Sequence, residues 1–520
     1  MWGGIRLDQE GASSVPETQL VAQRLQKLDS IREMGVEPFP YRFEVTHRSG
    51  EIRETFQTLE AEGRDVSVAG RLMARRDHGK SAFADLLDET GRLQIYVRRD
   101  AVGEKAFDLW KLLDIGDFVG IVGRVFRTRT GEMTVKAHAL EVLSKAVRPL
   151  PVPKEEVKDG QRVVHDAFTD PELRYRRRYL DLTLNPEVKD VFRKRTATIS
   201  AIRDFFDARG FMEADTPVLQ PLYGGASARP FTTYHNALDM KLYLRISNEL
   251  YLKRLIVGGF ERVYEFSKDF RNEGIDRTHN PEFTMLEAYQ AYADYTDMME
   301  LTESLFASVA ESVTGAGTIV YQGTEIDLGP PWRRMTLLDA IEAYGGFNVT
   351  GASAEELRGI CRQLDLEVDS SAQRGHLMDE IFEAVVQPHL IQPTFITDYP
   401  VEMSPLAKRH RENPELTERF EPFICGWEAA NAFSELNDPI DQRKRFEYQA
   451  SLRESGDEEA QVLDADFLRA MEYGMPPTGG MGFGVDRLVM LLTDARSIRD
   501  VILFPHMRPE EGRPETAGDA

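Results

Sequence analysis

Fifteen residues carry the densest chemistry in the chain. Phe270-Arg271-Asn272-Glu273-Gly274 is followed, after a polar turn, by His279-Asn280-Pro281-Glu282-Phe283-Thr284. Two short arms around such a turn are expected to form a hairpin. An adenine nucleotide suits it: arginine forks onto a phosphate, an aromatic ring stacks on a base, and carbonyls and carboxylates read the base edge. Any charged surface hairpin holds some of these residues, so the assignment depends on what accompanies it.

Two downstream segments keep that company. Gly479-Gly480-Met481-Gly482-Phe483-Gly484 lacks the lysine of a phosphate loop, and neither GxxxxGK[ST] nor a strand-borne GxGxxG occurs in the sequence. The run leads instead through Val485-Asp486 to Arg487 at the start of an apolar helix. Glycines there let backbone lie close under a flat ligand, while the helix N-terminus and Arg487 offer positive potential to a phosphate. In Glu428-Ala429-Ala430-Asn431-Ala432-Phe433-Ser434-Glu435 the two acids stand seven apart. A fully extended strand would point them to opposite faces, so a bend is needed if both line one cavity. Paired acids beside phosphates suit magnesium; paired acids on an edge strand are simply solvated.

These groups need a scaffold. Gln19–Met34 has helical apolar spacing and ends near Gly35. Short β-rich runs follow at Val66–Met73, Ala82–Leu87, Leu93–Val97, Phe118–Phe126 and Thr134–Leu143, with a helix around Ala106–Leu113. Five strands with a helix before the fourth match a Greek-key barrel of the oligonucleotide-binding (OB) kind, or a generic small barrel. Pro149–Pro153 reads as a stiff linker and Lys154–Arg162 as a boundary loop. Beyond it Asp190–Arg209 is expected to be a helix and Glu213–Leu219 a strand. Without regular βαβ alternation the remainder is expected to be α+β on a mainly antiparallel sheet. The expected organisation is a disordered leader (1–18), helix and barrel (19–150), linker (151–166), a large second domain (167–510) with a helical insertion at about 295–390, and a disordered tail (511–520).

The chain has 520 residues, 42% of them apolar, and a formal charge of −23. That size implies more than one domain, and that charge argues against non-specific coating of nucleic acid or anionic lipid. Residues 65–150 run the other way, with 15 Lys/Arg against 12 Asp/Glu. Nucleic acid, if bound, is expected there. No apolar run spans a membrane and the first fifteen residues lack signal-peptide character. Two cysteines, Cys361 and Cys425, without CxxC spacing suit a reducing cytoplasm.

Taken together, the segments resemble motifs 2 and 3 of class II aminoacyl-tRNA synthetases, with Glu213–Pro217 resembling motif 1. Within that class the chain resembles the lysyl-tRNA synthetases (bacterial type, class IIb) from about residue 19 to Arg508. Gly224–Phe231, Tyr243–Arg254, Glu282–Tyr289, Phe433–Asp438 and Ile498–Pro505 carry the match. The resemblance implies ligation of L-lysine to tRNA(Lys) with ATP and magnesium by a cytoplasmic homodimer. Arg271 would bridge the α-phosphate and the amino-acid carboxylate, with Glu273 and His279 on the rest of ATP. Phe283 would stack on adenine, and Arg487 would meet its other face or the γ-phosphate. Glu428 and Glu435 would hold magnesium. Gly225 and Glu287 would receive the α-ammonium, and Glu249, Tyr289 and Glu435 the side-chain ammonium, in a pocket that Asn431 and Phe433 also line. In the barrel, Phe83 and Gln94 would meet anticodon bases, with Arg75 and Arg76 near phosphates; Phe83 as a core residue is the alternative.

A pocket lined by Glu249, Glu287 and Glu435 favours a cationic substrate on physical grounds, because buried unpaired carboxylates cost several kcal/mol. Two other activities fit the motifs: attachment of a lysine-like group to a protein, and a non-catalytic RNA-binding regulator. The complete barrel run weighs against the first. The presence of Arg271, Glu273, Glu428, Glu435 and Arg487 weighs against the second.

Overall fold

The computed structural model describes residues 17–152, 154–158, 161–165, 168–369, 372–454 and 461–510. They form two compact units that divide after Asp170. The expected tail and all but Glu17 and Thr18 of the expected leader lie outside the described residues.

In the first unit, β1 (Asp65–His78), β2 (Ser81–Leu87), β3 (Arg92–Arg98), β4 (Phe118–Arg127) and β5 (Met133–Ser144) close a barrel in the order β1-β2-β3-β5-β4. Side chains alternate as a pleated strand requires: Ala82, Ala84 and Leu86 point inward, whereas Phe83 and Asp85 are half-buried on the outside. Helix α1 (Glu17–Glu33) precedes the barrel, and α3 (Glu104–Leu112) puts Phe107, Leu109 and Trp110 into the barrel core. Helix α2 (Ser49–Glu62) was not expected; its core face, Ile52, Phe56 and Leu59, is short and embedded in charged residues. The boundary loop expected at Lys154–Arg162 is instead an antiparallel pair, Lys154–Lys158 with Gln161–His165.

The second unit is built on a nine-stranded sheet. Its strands are β6 (Met212–Glu213), β7 (Arg262–Phe270), β8 (Glu282–Ala291), β9 (Arg333–Thr336), β10 (Thr394–Thr397), β11 (Arg419–Ile424), β12 (Trp427–Glu428), β13 (Asn431–Ser434) and β14 (Thr478–Gly484). The order is β9-β10-β11-β13-β14-β8-β7-β6, with β12 pairing β11. Only the outer pairs β7–β6 and β9–β10 are parallel. Alternation on β7 and β8 gives each face its own partner. Tyr264, Leu286 and Ala288 join the main core with α4 (Glu187–Asp207), α6 (Tyr295–Thr314) and α10 (Val485–Thr493). Val263, Tyr289 and Ala291 pack instead with Leu252 and Ile256 of α5 (Glu249–Val257).

The strand expected at Glu213–Leu219 does not form as one piece. Met212–Glu213 pairs with β7, and Leu219–Gln220 pairs with Tyr243 and Leu244. Pro217 between them has no N–H to give a ladder. Thr216 instead turns its N–H and hydroxyl onto the Glu265 carboxylate, at 3.2 and 2.7 Å, and Arg245 binds the same carboxylate at 2.7 Å. The helical stretch expected over 295–390 divides. Helix α6 belongs to the main core, whereas α7 (Leu337–Gly345), α8 (Ala354–Gln363) and α9 (Arg374–Val385) share a separate core around Leu337, Ile341, Leu357 and Phe382.

One buried ion cluster ties the barrel unit together. The Lys145 ammonium, fully buried, lies 2.6 Å from Asp114 and 2.9 Å from Asp117, and Lys27 of α1 lies 2.5 Å from Asp114. Removing one partner of a buried pair strands the other charge. Lys145→Met should therefore cost about 3 kcal/mol, read by scanning calorimetry as a lower midpoint for the barrel transition. An unchanged midpoint would show that the cluster contributes nothing to stability.

Candidate active site and nucleic-acid face

The hairpin expected around residues 270–284 is present: β7 and β8 pair from Arg262↔Gln290 to Phe270↔Glu282. Its connecting loop is held by Asp276, whose carboxylate accepts the N–H groups of Thr278 and His279 at 2.6 and 2.7 Å and the His279 ring nitrogen at 2.8 Å. Burial works to raise the pKa of Asp276, but these hydrogen bonds outweigh it and hold the carboxyl well below its usual range.

Every second residue of β8, namely Phe283, Met285, Glu287 and Tyr289, faces one cavity of about 410 Å³. Gly480, Gly482 and Gly484 of β14 and Asn431 and Phe433 of β13 line it too. Glu428 and Glu435 both reach it because the chain breaks at Ala429–Ala430 between β12 and β13. That break is the bend their spacing demanded. Gly225, Glu249, Arg271, Glu273, His279 and Arg487 complete the wall. All thirteen residues expected to bind nucleotide or amino acid thus meet in one place.

The cavity has two chemically distinct ends. At one, the Arg271 guanidinium lies 5.1 Å from the centre of the Phe283 ring, and its buried Nε has no protein partner. Arg487 donates to the Glu428 carbonyl at 2.7 Å and lies 3.6 Å from its carboxylate. Burial and then Glu421 push the Glu428 carboxyl up, against the pull of Arg487.

The other end is acidic. Glu249, Glu287 and Glu435 are each buried. Glu287 accepts the Ser247 hydroxyl at 2.7 Å and the Tyr289 hydroxyl at 3.0 Å. Burial raises its pKa to about 8, with Asp269 and Glu249 adding to the shift. Two glycines are steric necessities. Gly225 has φ +87°, and a Cβ there would lie 2.7 Å from Ser247 Oγ; a Cβ on Gly480 would lie 1.9 Å from Glu435 Oε1 and 2.6 Å from the Tyr289 ring.

Sequence reasoning missed two cations of this site. Lys253 is fully buried, and its ammonium bridges Glu249 and Glu435. Its signal was the Glu249–Lys253 spacing of four on a helix. Arg419 lines the cavity, reaches the Asn431 side chain at 3.2 Å and the Met403 carbonyl at 2.7 Å, and pairs with Glu421. No comparable spacing marks it.

On the barrel, Phe83 lies outside the core. It stacks on Tyr96 at 4.4 Å between centroids and 26° between planes, and Phe126 stands 6.1 Å beyond. Arg76 faces Phe83 across the β1–β2 ladder, and the Gln94 carbonyl accepts the Thr134 hydroxyl at 2.9 Å. Arg75 is engaged within the barrel unit. Its guanidinium donates to the Trp110 and Leu113 carbonyls at 2.9 and 2.7 Å, pairs with Asp77 and lies on the Trp110 ring. It closes the C-terminus of α3 rather than standing free for a phosphate. Because Phe83 is outside the core, Phe83→Ala should leave the barrel folded by circular dichroism while weakening single-stranded RNA binding by about 1–3 kcal/mol. A collapsed barrel would return Phe83 to a structural role.

Comparison with known proteins agrees with both units. Residues 170–508 match the family model described as tRNA synthetases class II (D, K and N), and residues 66–143 match that of the OB-fold nucleic acid binding domain. A lysine–tRNA ligase of Moorella thermoacetica is 57% identical over 496 residues, which cover 95% of this chain and 99% of the relative. Those of Christiangramia forsetii and Clostridium novyi are 55% and 52% identical, covering 94% of this chain and 86% and 94% of theirs. The chain therefore belongs to the class II tRNA synthetases of the D, K and N group and, within it, to the lysine–tRNA ligase family.

Proposed function

We propose that the protein joins L-lysine to tRNA(Lys) in two steps, forming lysyl-adenylate with release of pyrophosphate and then passing the lysyl group to tRNA with release of AMP. The observation that carries this reading is the acidic end of the cavity. Glu249, Glu287 and Glu435 lie buried beside a nucleotide-suited end bearing Arg271, Phe283 and Arg487. Lys253 answers only one of the charges of Glu249 and Glu435, so a neutral side chain would leave the other without a counter-charge, and an acidic one would be repelled.

In this reading Glu287 meets the α-ammonium, at the narrow floor that Gly225 leaves. The outer oxygens of Glu249 and Glu435, with Tyr289, meet the ε-ammonium. Asn431 and Phe433 flank the methylene chain. Arg271 leaves the Phe283 ring for the α-phosphate and the lysine carboxylate, which aligns the carboxylate oxygen behind the phosphorus. Phe283 then stacks on adenine, Glu273 and His279 hold the remainder of ATP, and Arg487 answers the charge on the outgoing pyrophosphate. Positioning and electrostatic stabilisation, rather than a general base, drive both steps.

Magnesium fits this site through Glu428. That carboxylate lines the cavity near Glu421 and is not committed to a short ion pair, whereas the remaining oxygen of Glu435, Oε1, is the one this reading gives to the substrate ammonium. Bound there with phosphate oxygens, the ion would neutralise charge on the leaving pyrophosphate. The barrel face of Phe83, Gln94 and Arg76 is assigned to the anticodon, with Tyr96 and Phe126 extending the stacking surface. No described helix is long and apolar enough to cross a membrane; a cytoplasmic location belongs to this reading through the tRNA and ATP it would use. A homodimer belongs to the same reading. Exposed Met212, Val218, Leu219 and Leu222 lie on the segment after α4 and suit burial against a second copy.

Exchange of labelled pyrophosphate into ATP, measured with magnesium across the twenty amino acids without tRNA, tests the proposal. Exchange with lysine alone is expected; exchange with aspartate or asparagine, or with none, would overturn it. The acidity of Glu287 adds a pH signature. Below pH about 8 the free enzyme holds Glu287 protonated, and a neutral carboxyl cannot answer an ammonium. The kcat/KM for lysine should therefore climb from pH 6.5 and level above about 8, and Glu287→Gln should lower it and abolish that limb. A flat wild-type profile would remove Glu287 from amino-acid binding.

A further inference from the structure

Lys253 stands one turn into α5 from Glu249, on the same helical face, and is wholly enclosed. Its ammonium touches Oε1 of Glu249 and Oε2 of Glu435, and lies 5.4 Å from the centre of the Phe433 ring. Both acids line the cavity, but Lys253 itself does not reach it. The pairing leaves Oε1 of Glu435 buried without a partner. It thus accounts for one side of each carboxylate and leaves the other to whatever enters.

Charge counting gives this arrangement its meaning. Burial pushes both carboxyls up and Lys253 between them pulls both back down; in the ionised pair it favours, Glu249 and Glu435 carry two negative charges where a substrate side chain would bring a single positive one. A permanent cation behind them reduces the residual charge to one, which a single ammonium neutralises. The remaining charged groups nearby have separate tasks. Glu287 is engaged by Ser247 and Tyr289, and Arg419 pairs with Glu421.

We propose that Lys253 is a specificity-determining positioning residue, a built-in counter-ion that sets the residual charge of the side-chain pocket at one and aims Glu249 and Glu435 at the substrate ammonium. The inference rests on the lysine reading of the cavity and deepens it. Lys253 touches neither ATP nor the reacting carboxylate. Its effect falls on lysine affinity rather than on the chemical step.

The test is a charge ladder in the full-length enzyme, read by lysine-dependent pyrophosphate exchange and by calorimetric binding of lysine and of ATP. Glu249→Gln leaves Lys253 balanced by Glu435 alone, so the pocket is neutral and Lys253 repels the incoming ammonium. Its KM for lysine should rise on the order of a hundredfold, with ATP affinity within about threefold of wild type. Adding Lys253→Met restores a residual charge of one. The double variant Glu249→Gln/Lys253→Met should bind lysine at least about tenfold more tightly than Glu249→Gln alone. A Lys253 that merely packs the core predicts the reverse, a double variant weaker than the single, and that result overturns the inference.

Lys253→Met alone faces the risk of exposing two uncompensated acids to each other and unfolding. The double variant avoids it, because its buried charge matches the wild-type count. Neutral norleucine is the second readout. It should gain relative to lysine in Glu249→Gln and lose that gain in the double variant; an unchanged ratio would also overturn the proposal. Failure of the wild type to exchange with lysine would instead sink the functional reading beneath it.

Discussion

Buried carboxylates must find cations, and the catalytic unit is arranged around that constraint. Glu265 and Asp269 of β7, Glu287 of β8, Glu249 of α5 and Glu435 just beyond β13 are all buried. The answering charges come from inside the chain: Arg245 for Glu265 at 2.7 Å and for Asp269 at 3.4 Å, and Lys253 for Glu249 and Glu435. Glu287 alone has only hydroxyl and amide donors. Burial still dominates at four of the five: it takes Glu287 to about 8 and Asp269 to about 6, and it pushes Glu249 and Glu435 up against the pull of Lys253.

Strand geometry turns this chemistry into a site. A period of two on β8 delivers Phe283, Met285, Glu287 and Tyr289 to one face and leaves Leu286 and Ala288 for the core beneath. The neighbouring strand must then be thin, because the Glu435 carboxylate and the Tyr289 ring already occupy the space above Gly480. The glycine run is therefore a consequence of the acidic pocket as much as of any phosphate. Its following helix contributes Arg487, which is tied to the nucleotide-suited end of the cavity through the Glu428 carbonyl.

The sequence was most legible where periodicity and chemistry coincide. All five barrel strands, the helix before the fourth, the β7–β8 hairpin and the helix near 190–209 were readable from apolar spacing and turn residues. The bend between Glu428 and Glu435 followed from their spacing only on the condition that both acids line one cavity. Helix α2 was not, because three apolar residues among many charges leave a weak periodic signal. Nor was the splitting of Glu213–Leu219, which depends on Thr216 finding Glu265 some fifty residues away. Arg75 shows the commonest limit. The residue types suggest a phosphate ligand, and they carry no signal that Nη1 of Arg75 is held by the helix carbonyls of Trp110 and Leu113.

Lysine between two acids occurs in both units, and the comparison separates a structural ion cluster from a functional one. Around Lys145 every valence is used. Asp114 is answered by Lys27 and Lys145, and Asp117 takes Lys145 together with the N–H groups of Asp114 at 2.7 Å and Ala146 at 2.8 Å. Such a cluster is closed and can only hold elements together. Around Lys253 the acids are bound on one side and open on the other, with a buried Glu435 oxygen left unsatisfied at the wall of a cavity. An unsatisfied buried oxygen costs about 1–3 kcal/mol or more when charged. A fold keeps that cost where a ligand can remove it, and in the proposed reading that ligand is the substrate ammonium, which meets Glu249 of α5 and Glu435 just beyond β13.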